Sequence, residues 1–271
     1  MGTTNDRSAE AQGGKPVSSI LGHAALRSPR GGSYAGTVPS AEKRCVPVRE
    51  GYERWAPTYD RNPNPLLALE ERCLKPLILC LEGKRVLDLA CGTGRWLAWL
   101  LTQGAASVIG ADFSAAMLAV ASGKAALQKH LVQADCCTVP FAKGVFDLVI
   151  CSFALGHIRD LESVAREVGR VATANADVYV SDLHPLAYSR EWQTGFRDNQ
   201  GAVEISTWPR PVRKLRAAWF SAGFRCAQLV ECQLGEPERP ILARAGKAHL
   251  YEEVRAVPAV LIHHFKRLSC L

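Results

Sequence analysis

Between residues 85 and 265 short apolar runs recur, most of them followed by a stretch whose apolar positions fall three or four apart. The runs over 85–89, 107–112, 130–135, 145–152, 177–182, 224–232 and 259–265 are rich in branched or aromatic side chains and too short for helices, so they predict strands. The run from Val145 to Ser152 is almost unbroken, as expected of a strand covered on both faces. Stretches over 95–103, 114–122, 161–171 and 211–222 carry the helical period, with Ser114 placed as an N-cap and Gly223 as a stop. This alternation predicts an α/β fold with a mostly parallel sheet. Upstream, 52–60 predicts a short aromatic helix broken at Pro57. Residues 65–81 predict a second helix, striped by Leu66, Leu69, Leu74, Leu77 and Leu81 and interrupted at Pro76.

Two stretches depart from the pattern. Residues 1–44 are rich in Gly, Ser, Pro and Ala without sustained period, cannot bury enough apolar surface to offset ordering, and are expected to be a disordered tail. Residues 186–209 carry Tyr188, Trp192, Phe196, Arg197 and Trp208 with no clean period, which suits a substrate cap. The expected organisation is therefore the tail at 1–44 and one domain over 45–271, with lid helices at 45–82 and a cap insertion at 186–209. A length of 271 residues suits a single decorated core.

Composition narrows the function classes. No run approaches the ~18 apolar residues needed to span a bilayer, and no secretory h-region opens the chain, so a soluble, cytoplasmic protein is expected. The ten cysteines are scattered, several within apolar runs and none in a C-x-x-C pair, and are expected to be reduced. The adjacent Cys136 and Cys137 offer the donors for a soft metal or metalloid but are read as ordinary loop and strand residues, and no metal is expected. The net charge of +7 is modest and partly in the tail, so no nucleic-acid groove is expected.

The chemistry concentrates where the first strand meets its helix, at Arg85-Val-Leu-Asp-Leu-Ala-Cys-Gly-Thr-Gly94. Glycines there let backbone approach a ligand and take positive φ. A dinucleotide fingerprint needs a third glycine where Leu97 stands. Asp88, Ala90, Gly92 and Gly94 instead fill acidic-x-small-x-Gly-x-Gly. Asp112, at the tip of the second strand, is placed to accept hydrogen bonds from ribose hydroxyls. These residues, with Asp135 ending the third strand and Phe146-Asp147-Leu148-Val149 as a fourth-strand signature, resemble class I S-adenosylmethionine-dependent methyltransferases over roughly residues 50–268. Ala90 in place of the first glycine is a mild departure. The resemblance implies a Rossmann-like seven-stranded sheet with an N-terminal helical lid. It implies S-adenosyl-L-methionine as cofactor, held by Asp88, Ala90, Gly92, Gly94, Asp112, Phe113, Asp135, Cys136 and Tyr59. The tyrosine-rich lid is similar to that of quinone C-methyltransferases and malonyl-carrier-protein O-methyltransferases.

His157 and His184 both follow strand carboxyl ends and are the candidate catalytic bases. Tyr52, Trp55, Tyr188, Trp192 and Arg197 are the candidate substrate-binding residues. The reading that follows is methyl transfer to an O, N, S or C nucleophile of a small molecule. The alternatives are a carrier-bound acyl or quinone acceptor, and more remotely an RNA or protein.

Overall fold

The computed structural model describes residues 44–268; the expected tail lies outside them apart from Arg44. The chain opens with strand β1 (Arg44–Val46), helix α1 (Val48–Trp55) and helix α2 (Pro65–Leu74). Next come β2 (Arg85–Leu89), α3 (Arg95–Leu100), β3 (Ser107–Asp112), α4 (Ala115–Ser122), β4 (Leu131–Gln133), β5 (Phe146–Ser152), α5 (Leu161–Val171) and β6 (Ala172–Leu183). The remainder is α6 (Pro185–Ser189), β7 (Gly195–Asp198), β8 (Gly201–Ile205), α7 (Val212–Ser221), β9 (Phe224–Gln233), α8 (Arg239–Arg244), α9 (Tyr251–Arg255) and β10 (Pro258–Arg267). The two short helices α8 and α9 occupy a connection whose Pro, Glu and Arg content conceals them in the sequence.

Seven strands form one sheet in the order β4-β3-β2-β5-β6-β10-β9. Its strands are parallel from β4 to β6, while β10 runs antiparallel between β6 and β9. The chain winds outward from β2 in one direction and restarts at β5 in the other. The carboxyl ends of β2 and β5 therefore part their connections and open a crevice, the usual ligand position in such sheets. Strand alternation divides the core. Val86, Leu148 and Ile150 pack to one face with Leu66, Leu69, Trp96 and Leu97; Leu87, Val149 and Cys151 pack to the other with Leu161, Val164, Val168 and Trp219. Asp147 sits at the amino end of β5, accepting hydrogen bonds from the Arg85 backbone N–H (3.0 Å) and the Thr173 hydroxyl (3.1 Å). It fastens the starts of neighbouring strands.

The segments expected as lid and cap form one unit. β1 pairs parallel to β8, and β8 antiparallel to β7, giving a separate three-stranded sheet. The described residues thus open with a strand at Arg44, ahead of the expected helix. Val46, Trp55, Phe196, Val203 and Ile205 make a small core of their own, with Trp55 stacked on Phe196 at 5.5 Å between centroids. Asp198 joins the pieces electrostatically, receiving Arg44 and Arg54, each at 2.6 Å. Asn64 caps α2 through the N–H groups of Leu66 and Leu67, and α2 stops at Leu74, where Pro76 forces a 3-10 turn, Lys75–Leu77. Among the described residues no helix is long and apolar enough to cross a membrane.

Because this lid unit has its own core, its loss should be local. Trp55→Ala, a truncation of the type that costs ~3–5 kcal/mol in a packed core, should speed amide hydrogen exchange together in residues 48–61 and 195–205 while β5 stays protected. Exchange unchanged in 195–205 would show that lid and hairpin do not share a core.

Candidate active site

The loop after β2 is built from left-handed backbone. Ala90, Gly92 and Gly94 have φ of 59°, 55° and 82°. The two glycines serve different ends. A Cβ on Gly94 would lie 2.5 Å from Leu127 Cδ1, so that position is closed by packing as well as by φ. A Cβ on Gly92 would meet nothing within 4 Å, because this residue faces a cavity. Ala90 carries a Cβ in the same region of φ, a local strain typical of ligand loops. Asp88 is buried and accepts the Leu97 N–H at 2.9 Å, so it anchors the amino end of α3 to the sheet. Burial pushes its carboxyl up to about 7, against the opposing pull of Arg95 and of the Leu97 N–H.

Asp112 ends β3 with one carboxylate oxygen accepting the Gly92 N–H and the other the Ser114 N–H, both at 2.8 Å. Burial raises its pKa, and backbone N–H bonds oppose the rise. Each oxygen keeps a lone pair, so the carboxylate fastens the glycine loop and still presents acceptors to the cavity. Asp135 lies beyond β4, exposed, with one oxygen accepting the Cys137 N–H at 2.8 Å.

These groups border one cavity of about 370 Å³ at the carboxyl ends of β2, β3 and β5. One half is walled by Asp88, Ala90, Gly92, Asp112, Phe113, Asp135 and Cys136, and the other by Tyr52, Tyr59, Leu67, Phe153, His157 and Ile158. Burial pushes the Tyr59 hydroxyl up to about 12 and Tyr52 well above the ordinary tyrosine value, so both remain neutral phenols. The lid is latched down at two places. Asp60 accepts the Thr93 hydroxyl at 2.6 Å and meets Lys124 at 2.8 Å, and Lys124 also donates to the Thr93 carbonyl at 2.7 Å. Arg49 donates to the Phe113 carbonyl at 3.3 Å and lies 4.8 Å from the centroid of its ring.

The two histidines part company. His157, in the turn Leu155–His157 after β5, lines the cavity, with its Nδ1 2.9 Å from the Ser206 carbonyl and its ring edge-on to Tyr52 at 5.4 Å. A carbonyl only accepts, so Nδ1 carries the proton and Nε2 keeps its lone pair. Burial lowers the pKa of this imidazole, with the Ser206 bond opposing. His184 is a correction. It is buried outside the cavity, its Nδ1 accepting the Leu186 N–H at 3.1 Å and its Nε2 3.2 Å from Glu231. Pro185 starts α6 at once, and the histidine is spent capping it.

Four expected substrate residues also lie elsewhere. Trp55 is inside the lid core, Trp192 is fully buried in the main core, and Arg197 is exposed on β7. Tyr188 sits behind the His157 turn, its hydroxyl 3.5 Å from Asp182. Each stands in a stretch whose pairing is with residues far away in sequence, so no local period revealed its direction.

The sequence reading passed over the supports of the site. Asp182 is half-buried and accepts the Gly156 N–H at 2.5 Å. Burial pushes its carboxyl up to about 6, with the N–H bonds from Leu183 and Gly156 opposing. Arg210 donates from the other side to the carbonyls of Leu155 (2.9 Å), Ile158 and Arg159 (2.8 Å). Glu70, fully buried on α2, accepts from Arg95, the Trp96 indole, Ser152 and Ser181. Arg95 lines the cavity and could have been suspected as the cation opening α3. Phe153, with φ of 49°, marks the strained tip of β5.

Comparison with known proteins agrees with this architecture. A family model described as a methyltransferase domain matches residues 86–175. The demethylmenaquinone methyltransferase of Thermus thermophilus is 39% identical over 107 residues, 38% of this chain and 48% of that protein. The malonyl-[acyl-carrier protein] O-methyltransferase of Legionella pneumophila is 31% identical over 55% of this chain and 54% of its own length. The chain thus spans about half the length of these two relatives. The 2-phytyl-1,4-naphtoquinone methyltransferase of Synechococcus elongatus is 32% identical over 225 residues, 78% of this chain and 94% of that protein. The crystal structure of an S-adenosylmethionine dependent methyltransferase from Mesorhizobium loti has the same fold, with a TM-score of 0.58 at 23% identity, covering 73% of this chain and 98% of that one. With the strand order, the glycine loop and Asp112 in place, the chain belongs to the class I S-adenosylmethionine-dependent methyltransferases.

Proposed function

We propose that the protein methylates a small, largely apolar acceptor that enters beside the lid. Unsaturated rings of the quinone type fit best, and the observation that carries this reading is the character of the lid-side wall: Tyr52, Tyr59, Leu67, Phe153 and Ile158 around a single imidazole. Two of the relatives named above are quinone methyltransferases, which favours the same class. A cavity enclosed by a latched lid suits a metabolite more than a nucleic acid or a folded protein.

S-adenosylmethionine, when bound, supplies an electrophilic methyl group on a sulfonium sulfur. Gly92 and Ala90 would give it backbone to lie against, Asp112 would accept from its ribose hydroxyls, Phe113 and Cys136 would flank its base, and Asp135 would accept from the adenine amino group. The residues present suit that task, since the Gly92 side-chain position is open and both Asp112 oxygens retain acceptor capacity. The remaining work is positioning. Holding an acceptor ~3–3.5 Å from the methyl carbon supplies ~7–11 kcal/mol of the barrier. Tyr52, Tyr59 and the latches at Asp60 and Arg49 exclude water while this geometry is held. His157, neutral near pH 7, takes the proton from the acceptor at Nε2, while the Ser206 carbonyl steadies the imidazolium through Nδ1–H.

Asp112→Asn removes a charge-assisted acceptor worth ~1.5–3 kcal/mol, so calorimetry should find S-adenosylmethionine bound roughly 10- to 150-fold more weakly. Unchanged affinity in a folded variant would remove Asp112 from the clamp. For His157 the sign is fixed by burial: with the pKa lowered, the base loses its lone pair only below pH ~6.5. The acidic limb of kcat/KM should therefore lie below that value, and His157→Gln should abolish the limb and lower kcat by ~10²–10⁴ with cofactor affinity kept. A limb that persists in the variant would assign it to another group.

A further inference from the structure

Cys136 and Cys137 follow Asp135 in the turn after β4. The carboxylate oxygen and the two sulfurs all lie within 4.8 Å of one another. The Cys137 N–H donates to Asp135 at 2.8 Å, and Asp135 bridges to Thr138, so the turn folds back and brings the three side chains together. All three line the cavity wall. Donors around a tetrahedral zinc-like ion stand ~2.3 Å (sulfur) and ~2.0–2.2 Å (oxygen) from it, which places them just under ~4 Å apart. The observed spread, up to 4.8 Å, exceeds that spacing by only about 1 Å.

We propose that Asp135, Cys136 and Cys137 form a site for a soft divalent cation of the Zn²⁺ or Cd²⁺ type, and that its occupation excludes the cofactor from the cavity. Two thiols and one carboxylate give three protein ligands, the fourth position being left to water from the cavity, and sulfur donors select such ions over Mg²⁺ or Ca²⁺. Burial keeps both thiols protonated in the metal-free protein. Binding therefore breaks two S–H bonds, forms two metal–sulfur bonds and releases two protons to solvent, with no change of oxidation state. Exclusion follows from place: the metal would occupy the wall to which the functional reading above assigns the adenine, and it would take the Asp135 carboxylate with it. The exclusion arm rests on that reading; the metal site itself does not.

The test uses the full chain and Cd²⁺ alone. Titration is followed by the ultraviolet thiolate-to-cadmium charge-transfer band and by calorimetry, and S-adenosylhomocysteine affinity is then measured with and without the ion. One Cd²⁺ per chain is expected with a band of two thiolates, lost in Cys136→Ser/Cys137→Ser. At a cadmium concentration 100 times its Kd, S-adenosylhomocysteine should bind about 100-fold more weakly. If the double variant fails to fold by circular dichroism, Cys137→Ser alone should halve the thiolate band. A band that survives these substitutions intact, or cofactor affinity untouched at saturating Cd²⁺, overturns the proposal. Failure of S-adenosylhomocysteine to bind without any metal would instead count against the functional reading, and the band alone would then decide the metal site.

Discussion

The buried carboxylate of Glu70 is the interaction on which the site depends. It is fully inaccessible on α2, and its oxygens accept from the Arg95 guanidinium, the Trp96 indole and the hydroxyls of Ser152 and Ser181. Those partners belong to α3, β5 and β6, so one side chain ties the second lid helix to the glycine-loop helix and to two strand tips. A buried charge without partners costs several kcal/mol, and four donors offset that cost here. Arg95 is held charged in the same way: burial works against its charge, and Glu70 and Glu71 more than restore it. The second lid helix is thus part of the cofactor crevice, while the aromatic segment before it is held by the Asp60 and Arg49 latches.

The turn bearing His157 is fixed by a similar division of labour. Phe153 leaves β5 in left-handed backbone, Asp182 receives the Gly156 N–H from inside, and Arg210 grips three neighbouring carbonyls from outside. The histidine is thereby aimed without touching any of these charges itself. Its Nδ1 is occupied by the Ser206 carbonyl, which comes from the end of the three-stranded sheet. The lid unit therefore contacts the glycine-loop side of the cavity through Asp60 and Arg49, and His157 through Ser206.

Much of this was legible in the chain. The central strands stand out because strands covered on both faces are apolar throughout, and Gly92, Gly94, Ser114 and Asp112 act through local backbone, which sequence spacing records. The β1–β8 pairing could not be read, because Arg44–Val46 is three residues long and its partner lies more than 150 positions away. Trp192 and Trp55 carry the aromatic character expected of a pocket, yet burial in separate cores consumed them. His184 was misplaced for a local reason: a proline immediately after a histidine starts a helix as readily as it fixes an exit direction, and here the ring became the cap. Glu70 was hidden because a glutamate within a leucine-striped helix looks like its solvent side, and only the tertiary placement of Arg95 reveals otherwise.

The central claim is that lid helix and cofactor loop are one electrostatic unit. It is tested most directly by measuring the unfolding free energy and S-adenosylmethionine affinity of Glu70→Gln beside those of Arg95→Met and the double variant. Each single change breaks a buried pair, so losses of ~3–5 kcal/mol are expected. The double variant should lose clearly less than the sum, with cofactor affinity falling in parallel. Additive losses, or a Glu70→Gln protein with stability and affinity within ~0.5 kcal/mol of the wild type, would contradict the account.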